Sequence, residues 1–189
     1  MLCLLGQVRW MSTTAMIVID MLNPYDHEDS ERLAASAEKI IEPLRGLIGR
    51  VRERDDVRLL YVNDNYGDFS ATSRDLIDRA LDGRRPDLVE PILPTEDCAF
   101  LTKVRHSAFY ATPLEYVLQR EQVSTVILTG QVTEQCVLYS ALDAYVRHLA
   151  IKVSRDCVAH IDPRLGEAAL QMMERNMRAE LVTTASCLG

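Results

Sequence analysis

Short apolar runs alternate along this chain with stretches whose apolar residues recur every three to four positions. The first run, "TAMIVID" (Thr14–Asp20), is continuous, as expected for a strand covered on both faces. After the turn-rich "NPYDHED", a stripe of Leu33, Ala37, Ile40, Ile41, Leu44, Leu47, Ile48 and Val51 predicts one long amphipathic helix. "VRLLYVN" (Val57–Asn63) predicts a second strand, and "ATSRDLIDRALDG" a second helix closed by Gly83. "RRPDLVEPILPTED" holds three prolines and predicts an irregular connection. "CAFLTKV" predicts a third, shorter strand, and "TPLEYVLQREQ" a helix with Pro113 near its start, where a missing N–H does little harm. "STVILTG" predicts a fourth strand, followed by a helix from about Thr133. "AIKVSRD" and "AELVTTA" predict a fifth and a sixth, with the helix "DPRLGEAALQMMERNM" between them.

Strand and helix in alternation predict an α/β fold, because each parallel crossover needs a covering helix. The expected architecture is a three-layer α/β/α sandwich on a parallel, Rossmann-like sheet. The chain has 189 residues, enough for one domain with a real core. No repeat, low-complexity segment or linker divides it, so residues 14–189 are read as a single domain. "MLCLLGQVRWM" lacks the basic start and long apolar stretch of a signal peptide. Residues 1–13 are read as a loosely ordered extension, with Met11 a candidate natural start.

Composition narrows the partners. Hydrophobic residues make up 48% and charged residues 26%, a soluble globular balance. A net charge of −7 argues against nucleic acid or an anionic membrane as partner, and no apolar run is long enough to span a bilayer. Five cysteines occur without a C-x-x-C. That pattern disfavours a disulfide framework and a zinc knuckle, and points to a reducing, cytoplasmic setting.

Ligands of such sheets bind beyond the carboxyl ends of the strands, so the residues there are the candidates. Asp20 closes the first strand and is either a turn-former or a functional carboxylate. Asn63, Asp64 and Asn65 close the second. Lys103 closes the third; only three of the 21 basic residues are lysines. It is either a snorkelling edge residue or a chosen compact ammonium. Cys136 follows the fourth strand, which ends in Gly130. It is either packed with Val137, Ala141 and Ala144 or activated. A helix N-terminus would lower the thiol's pKa, and the free N–H groups there would hold an oxyanion. An acid, an ammonium and a thiol at three strand ends form a coherent set for nucleophilic hydrolysis.

"AMIVIDMLNPY", "YVNDNYGDFSA", "LTKVRHSAFYATPLEYVL" and "LTGQVTEQCVLYSALDAYVR", in that order, resemble the isochorismatase-like cysteine hydrolases. This superfamily includes nicotinamidases, N-carbamoylsarcosine amidases and isochorismatases, and the resemblance runs from about Thr14 to Thr184. It implies six parallel strands in the order 3-2-1-4-5-6 and a catalytic triad of Asp20, Lys103 and Cys136. It also implies a cis peptide between Gln131 and Val132, which turns the Val132 N–H toward an oxyanion beside the Cys136 N–H. The implied activity is hydrolysis of a C–N bond, amide or carbamoyl, in a small molecule through a thioester. Homo-oligomers, dimers or tetramers, are common in the superfamily, and the proline-rich segment 84–97 is the expected contact.

The chain departs from the pattern in places. Nicotinamidases carry a metal-binding Asp-x-His after the second strand, where this sequence reads Asp64-Asn65-Tyr66. No metal and no cofactor are therefore expected, and His106 and His160 are read as structural. Leu22 replaces a usual glutamine. Tyr25, Asn65, Tyr66 and Phe109 are candidates for lining a substrate pocket or for packing beneath loops. Two alternatives stay open: ether hydrolysis of the isochorismatase type, and a silent relative that only binds a small molecule. A redox-active thiol ranks last.

Overall fold

The computed structural model describes residues 14–96 and 98–188; the N-terminal extension expected over 1–13 lies outside them. Six strands form one sheet: β1 (Thr14–Ile19), β2 (Val57–Asp64), β3 (Ala99–Lys103), β4 (Thr125–Gln131), β5 (Ala150–Ala159) and β6 (Glu180–Val182). Their spatial order is β3-β2-β1-β4-β5-β6, and every pairing is parallel. The order implied by the resemblance is the one observed.

Alternation along β1 builds two cores. Ala15, Ile17 and Ile19 face one side, with Leu60, Val62, Val126 and Leu128. Met16 and Val18 face the other, with Tyr61 and Ile127. Helices α1 (Ser30–Ala37) and α2 (Ile41–Arg52) cover the second side through Leu33, Leu44, Leu47, Ile48 and Val51. Helices α5 (Leu114–Arg120), α6 (Leu138–Val146) and α7 (Pro163–Met177) cover the first. Residues Ala15 to Ile19 are at most 1% exposed; burying each large aliphatic side chain contributes about 1.5–3 kcal/mol. This fully covered central strand explains the unbroken apolar run. Among the described residues no helix is long and apolar enough to cross a membrane.

The long helix predicted through Val51 is two helices. Between α1 and α2 the chain tightens, with Lys39 and Ile40 N–H groups bonding to Ser36 and Ala37 carbonyls three residues back. Pro43 is the reason. In one continuous helix it would leave the Lys39 carbonyl without its donor and crowd it; in the first turn of α2 a missing N–H is harmless. The apolar stripe survives the break because both helices lie on the same core.

Helix α3 (Ser73–Leu81) is closed differently from the expectation. Its start is a capping box between Thr72 and Asp75. Its end needs no left-handed glycine, since Asp82 keeps a right-handed conformation. Gly83 is required for space: an added Cβ would lie 2.4 Å from the Pro24 carbonyl oxygen. The proline-rich connection is also more ordered than predicted. It forms the short helix α4 (Pro86–Val89) and a 3-10 turn (Glu90–Ile92), and Leu88, Val89 and Ile92 turn inward.

Candidate active site

Register brings the strand ends together. Ile19 pairs with Val62 on one side and Gly130 on the other, and Asp64 pairs with Lys103. The residues just past β1, β2, β3 and β4 therefore share one rim. At Gly130 the backbones approach so closely that an added Cβ would lie 2.1 Å from the Ile19 carbonyl oxygen, and its φ is +103°. Only glycine fits there.

Asp20 leaves β1 with φ at +53°, a conformation uncommon for a residue with a side chain. Its surroundings hold it there. The Asp20 N–H donates to the Val62 carbonyl at 3.0 Å, and its own carbonyl accepts from Gln131 Nε2 at 2.8 Å. One carboxylate oxygen accepts from the Asp64 N–H at 2.7 Å. The other lies 2.8 Å from Lys103 Nζ.

Lys103 is completely buried. Its ammonium has three donors and three partners: Asp20 at 2.8 Å, Asp64 at 3.1 Å and Cys136 Sγ at 3.7 Å. A snorkelling lysine would carry its charge outward, and this one carries it inward. Burial opposes the charge, but Asp20, Cys136 and Asp64 together outweigh it and push the lysine pKa up.

Cys136 sits in a wide turn (Thr133–Val137) that leads into α6, rather than in the first turn of an ordinary α-helix. The Val137 N–H reaches back to the Val132 carbonyl at 3.1 Å. The peptide bond between Gln131 and Val132 is cis. Ser140 Oγ donates to the Cys136 carbonyl at 2.6 Å and accepts from the Ala108 N–H at 2.9 Å. The Cys136 turn is thereby tied to the loop after Lys103.

The thiol's acidity runs opposite to the sequence expectation. Cys136 is 8% exposed. Burial and the neighbouring Asp20 carboxylate push its pKa up, against the pull of Lys103 and the Val132 N–H. Burial also raises Asp20, although Lys103, Cys136 and the Asp64 N–H pull it down. Both groups contact the Lys103 ammonium. A helix N-terminus acts on a thiol most clearly where no anion competes, and here the Asp20 carboxylate competes. Passing the proton from sulfur to Asp20 leaves the net charge of the cluster unchanged. The site is thus arranged to move a proton internally.

The other candidates are placed as follows. Tyr25 is buried and its hydroxyl donates to Gln131 Oε1 at 3.2 Å; its ring also borders a cleft of about 320 Å³ with Glu38, Arg84 and Arg85. Asn65 is buried and builds a turn, accepting from the Gly67 N–H at 3.0 Å. The Tyr66 hydroxyl donates to the Leu22 carbonyl at 2.8 Å, and Arg79 covers its ring. Phe109 packs in the core under Arg147, in a hollow with Val123 and Leu149. Those neighbours precede β4 and β5, at the sheet's opposite end from the thiol. The His106 ring packs tilted against Tyr139, with centroids 5.4 Å apart and planes at 58°, and the His160 N–H bonds to Ser36.

Three residues named in the sequence only by position have roles that it did not assign. Asp64 is the second carboxylate on Lys103. Asn63 clamps the Leu22 backbone, accepting from its N–H at 3.0 Å and donating to its carbonyl at 3.2 Å. The Gln131 side chain joins the Asp20 turn to Tyr25. The only signal for them was a polar residue at the end of a buried strand. Among the described residues no cluster of three or more His, Cys, Asp or Glu side chains is placed to hold a metal ion; Asp64 is engaged by Lys103 instead.

The chain belongs to the isochorismatase family, whose domain model matches residues 14–186. The isochorismatase family protein YaaI of Bacillus subtilis is 35% identical over 169 residues, covering 89% of this chain and 93% of that protein. Maleamate amidohydrolase of Pseudomonas putida is 27% identical over 158 residues, covering 79% and 74%. The crystal structure of N-carbamoylsarcosine amidase from Thermoplasma acidophilum superposes with a TM-score of 0.74 at 26% identity, covering 94% and 99%.

Proposed function

We propose that this protein is a cysteine hydrolase that cleaves an amide or carbamoyl C–N bond of a small molecule, with Asp20, Lys103 and Cys136 as its catalytic residues. The observation that carries the reading is the position of Lys103, buried and in contact with both Asp20 and Cys136. Similarity to an amidohydrolase and an amidase supports C–N over ether cleavage.

The steps balance within the cluster. The Cys136 proton passes to Asp20 as the sulfur bonds to the substrate carbonyl carbon. The developing oxyanion is held by the Val132 and Cys136 N–H groups. Asp20 returns its proton to the leaving nitrogen, the C–N bond breaks, and a thioester remains. Water then gives a proton to Asp20 and attacks the thioester; the S–C bond breaks and the thiol regains its proton. Lys103 stays charged throughout and stabilises the anion wherever it resides. No step requires a metal or cofactor. Asp64 holds Lys103, and Tyr66 stands where a nicotinamidase has its metal-binding histidine.

The test is ammonia release from a panel of small amides and carbamoyl compounds. Wild-type protein should turn over at least one, and Cys136→Ala should lose about 10³-fold or more of that rate. Turnover that survives Cys136→Ala would overturn the proposal in favour of hydrolysis without a cysteine nucleophile. Tight binding without turnover in wild type would favour the silent relative.

A further inference from the structure

The wide turn that carries Cys136 has little to hold it from within. The Gln135 and Val137 N–H groups both return to one acceptor, the Val132 carbonyl, at 3.0 and 3.1 Å. Its shape is set from outside. Ser140 ties it to the loop after Lys103. On the other side Thr133 Oγ1 donates to the Ala159 carbonyl at 2.9 Å. Beside it, Glu134 Oε1 accepts from the Ile161 and Asp162 N–H groups, each at 2.9 Å. These two N–H groups belong to the short connection from β5 to α7. That connection is a firm anchor. Asp162 caps α7 by accepting from the Arg164 N–H at 2.8 Å, and Ala169 and Met173 of α7 share a core with Cys136 and Val137.

Glu134 is an odd choice for fastening a loop. Among the described residues, its Oε2 is the one buried side-chain nitrogen or oxygen without a hydrogen-bond partner. Burying a carboxylate oxygen unpaired works against stability, and departures of this kind concentrate at functional sites. The charge is not there to activate the thiol. A second anion beside the sulfur would oppose a thiolate, and the groups that set the thiol's acidity are Asp20, Lys103 and the Val132 N–H. What singles out Glu134 is its place in the chain. It stands midway between Val132 and Cys136, whose N–H groups are assigned to the oxyanion above. Fixing the middle of the turn fixes the direction of both, and a misplacement of about 1 Å at such a site costs roughly 10²-fold in rate.

We infer that Glu134 is a positioning residue, which clamps the Cys136 turn to the Ile161 and Asp162 N–H groups so that the Val132 and Cys136 N–H groups converge on the oxyanion. The inference rests on the hydrolase reading and adds to it a residue that touches neither substrate nor sulfur. It acts on one kind of step alone. When the sulfur adds to a carbonyl, the S–C bond forms, the C=O π pair moves to oxygen, and the N–H groups must meet that charge. When the sulfur is alkylated by iodoacetamide, the S–C bond forms as the C–I bond breaks, iodide leaves and the thiol proton is released. No oxyanion arises, so the clamp is not needed.

The test compares the two reactions on the full chain, with circular dichroism to confirm folding. With an amide or carbamoyl compound that wild type turns over, Glu134→Ala should lower kcat by about 10²-fold and leave KM within about threefold. Its rate of Cys136 labelling by iodoacetamide should stay within about twofold of wild type. Glu134→Gln keeps an oxygen for both N–H groups and should retain kcat within about threefold. Should Glu134→Ala not fold, Glu134→Asp is read in the same way, since its carboxylate is one methylene short of the two N–H groups. An unchanged kcat in the folded Ala or Asp variant would overturn the inference while leaving the hydrolase reading intact. So would kcat and labelling falling together, or a Gln variant no better than Ala, since either assigns Glu134 to the fold alone. A wild type that turns over none of the compounds would refute the hydrolase reading and this inference with it.

Discussion

The ammonium of Lys103 lies 2.8 Å from the Asp20 carboxylate, with no exposure to solvent on the lysine side chain and 10% on the aspartate. Such a pair gains its value from position. Two charges withdrawn from water contribute little net stability when satisfied, but losing one leaves the other stranded. Here Lys103 also carries Asp64 and faces Cys136, so it governs two carboxylates and a thiol.

Replacing Lys103 by Met should therefore destabilise the fold by about 3–5 kcal/mol at pH 8. Its loss strands Asp20 and Asp64 together, and Asp20 then rises further above its ordinary 3.8 than burial already lifts it. A carboxylate raised in the folded state binds its proton more tightly there than in the unfolded chain. Stability from this site falls as pH climbs from 3.8 through the raised value. The penalty in Lys103→Met should accordingly be smaller at pH 5 than at pH 8. Urea denaturation at the two pH values checks this, and an equal loss at both would contradict it.

Asp20→Asn separates acidity from catalysis. The Asp20 carboxylate is, after burial, the main influence holding the Cys136 thiol in its protonated form. Removing its charge while Lys103 remains should lower the thiol's pKa, and each unit is tenfold in thiolate. Iodoacetamide should then label Cys136 about tenfold faster near neutral pH, read by peptide mass spectrometry. Hydrolysis should fall by about 10²–10⁴ for want of its proton carrier. Slower labelling in Asp20→Asn would show that the carboxylate activates the thiol at rest.

Two glycine substitutions should move stability in opposite directions. Gly130→Ala puts a methyl 2.1 Å from the Ile19 carbonyl oxygen at φ +103°, and should cost about 3 kcal/mol or more. Gly46 lies exposed within α2 with nothing within 4 Å of an added Cβ. Gly46→Ala should stabilise by about 0.5–1 kcal/mol. Thermal melts of the two variants are sufficient.

How much of this was legible in the sequence depends on the kind of interaction. The six strands were, because a strand buried on both faces must be apolar throughout, as "AMIVI" is. Asp20, Lys103 and Cys136 were, because chemistry-bearing residues at strand ends stand out against apolar runs. The break after Ala37 was hidden, since the stripe through Leu33 and Leu44 continues across it; Pro43 was the overlooked sign. The pairing of Asp64 with Lys103 depends on β2–β3 register, which no local pattern encodes. The thiol's acidity was misjudged for a related reason. A helix N-terminus is visible along the chain, whereas the carboxylate 116 positions away in sequence, held with the thiol on Lys103, is visible only in space.

The most direct test of the account is to look for the thioester. A turned-over amide or carbamoyl compound is mixed with wild-type protein, quenched in acid within the first turnovers, digested and read by mass spectrometry. The account predicts the acyl mass on the peptide carrying Cys136, gone once substrate is exhausted and absent in Cys136→Ala. An unmodified Cys136 throughout a turnover that is slow at the hydrolysis step, or the acyl mass on another residue, would contradict it.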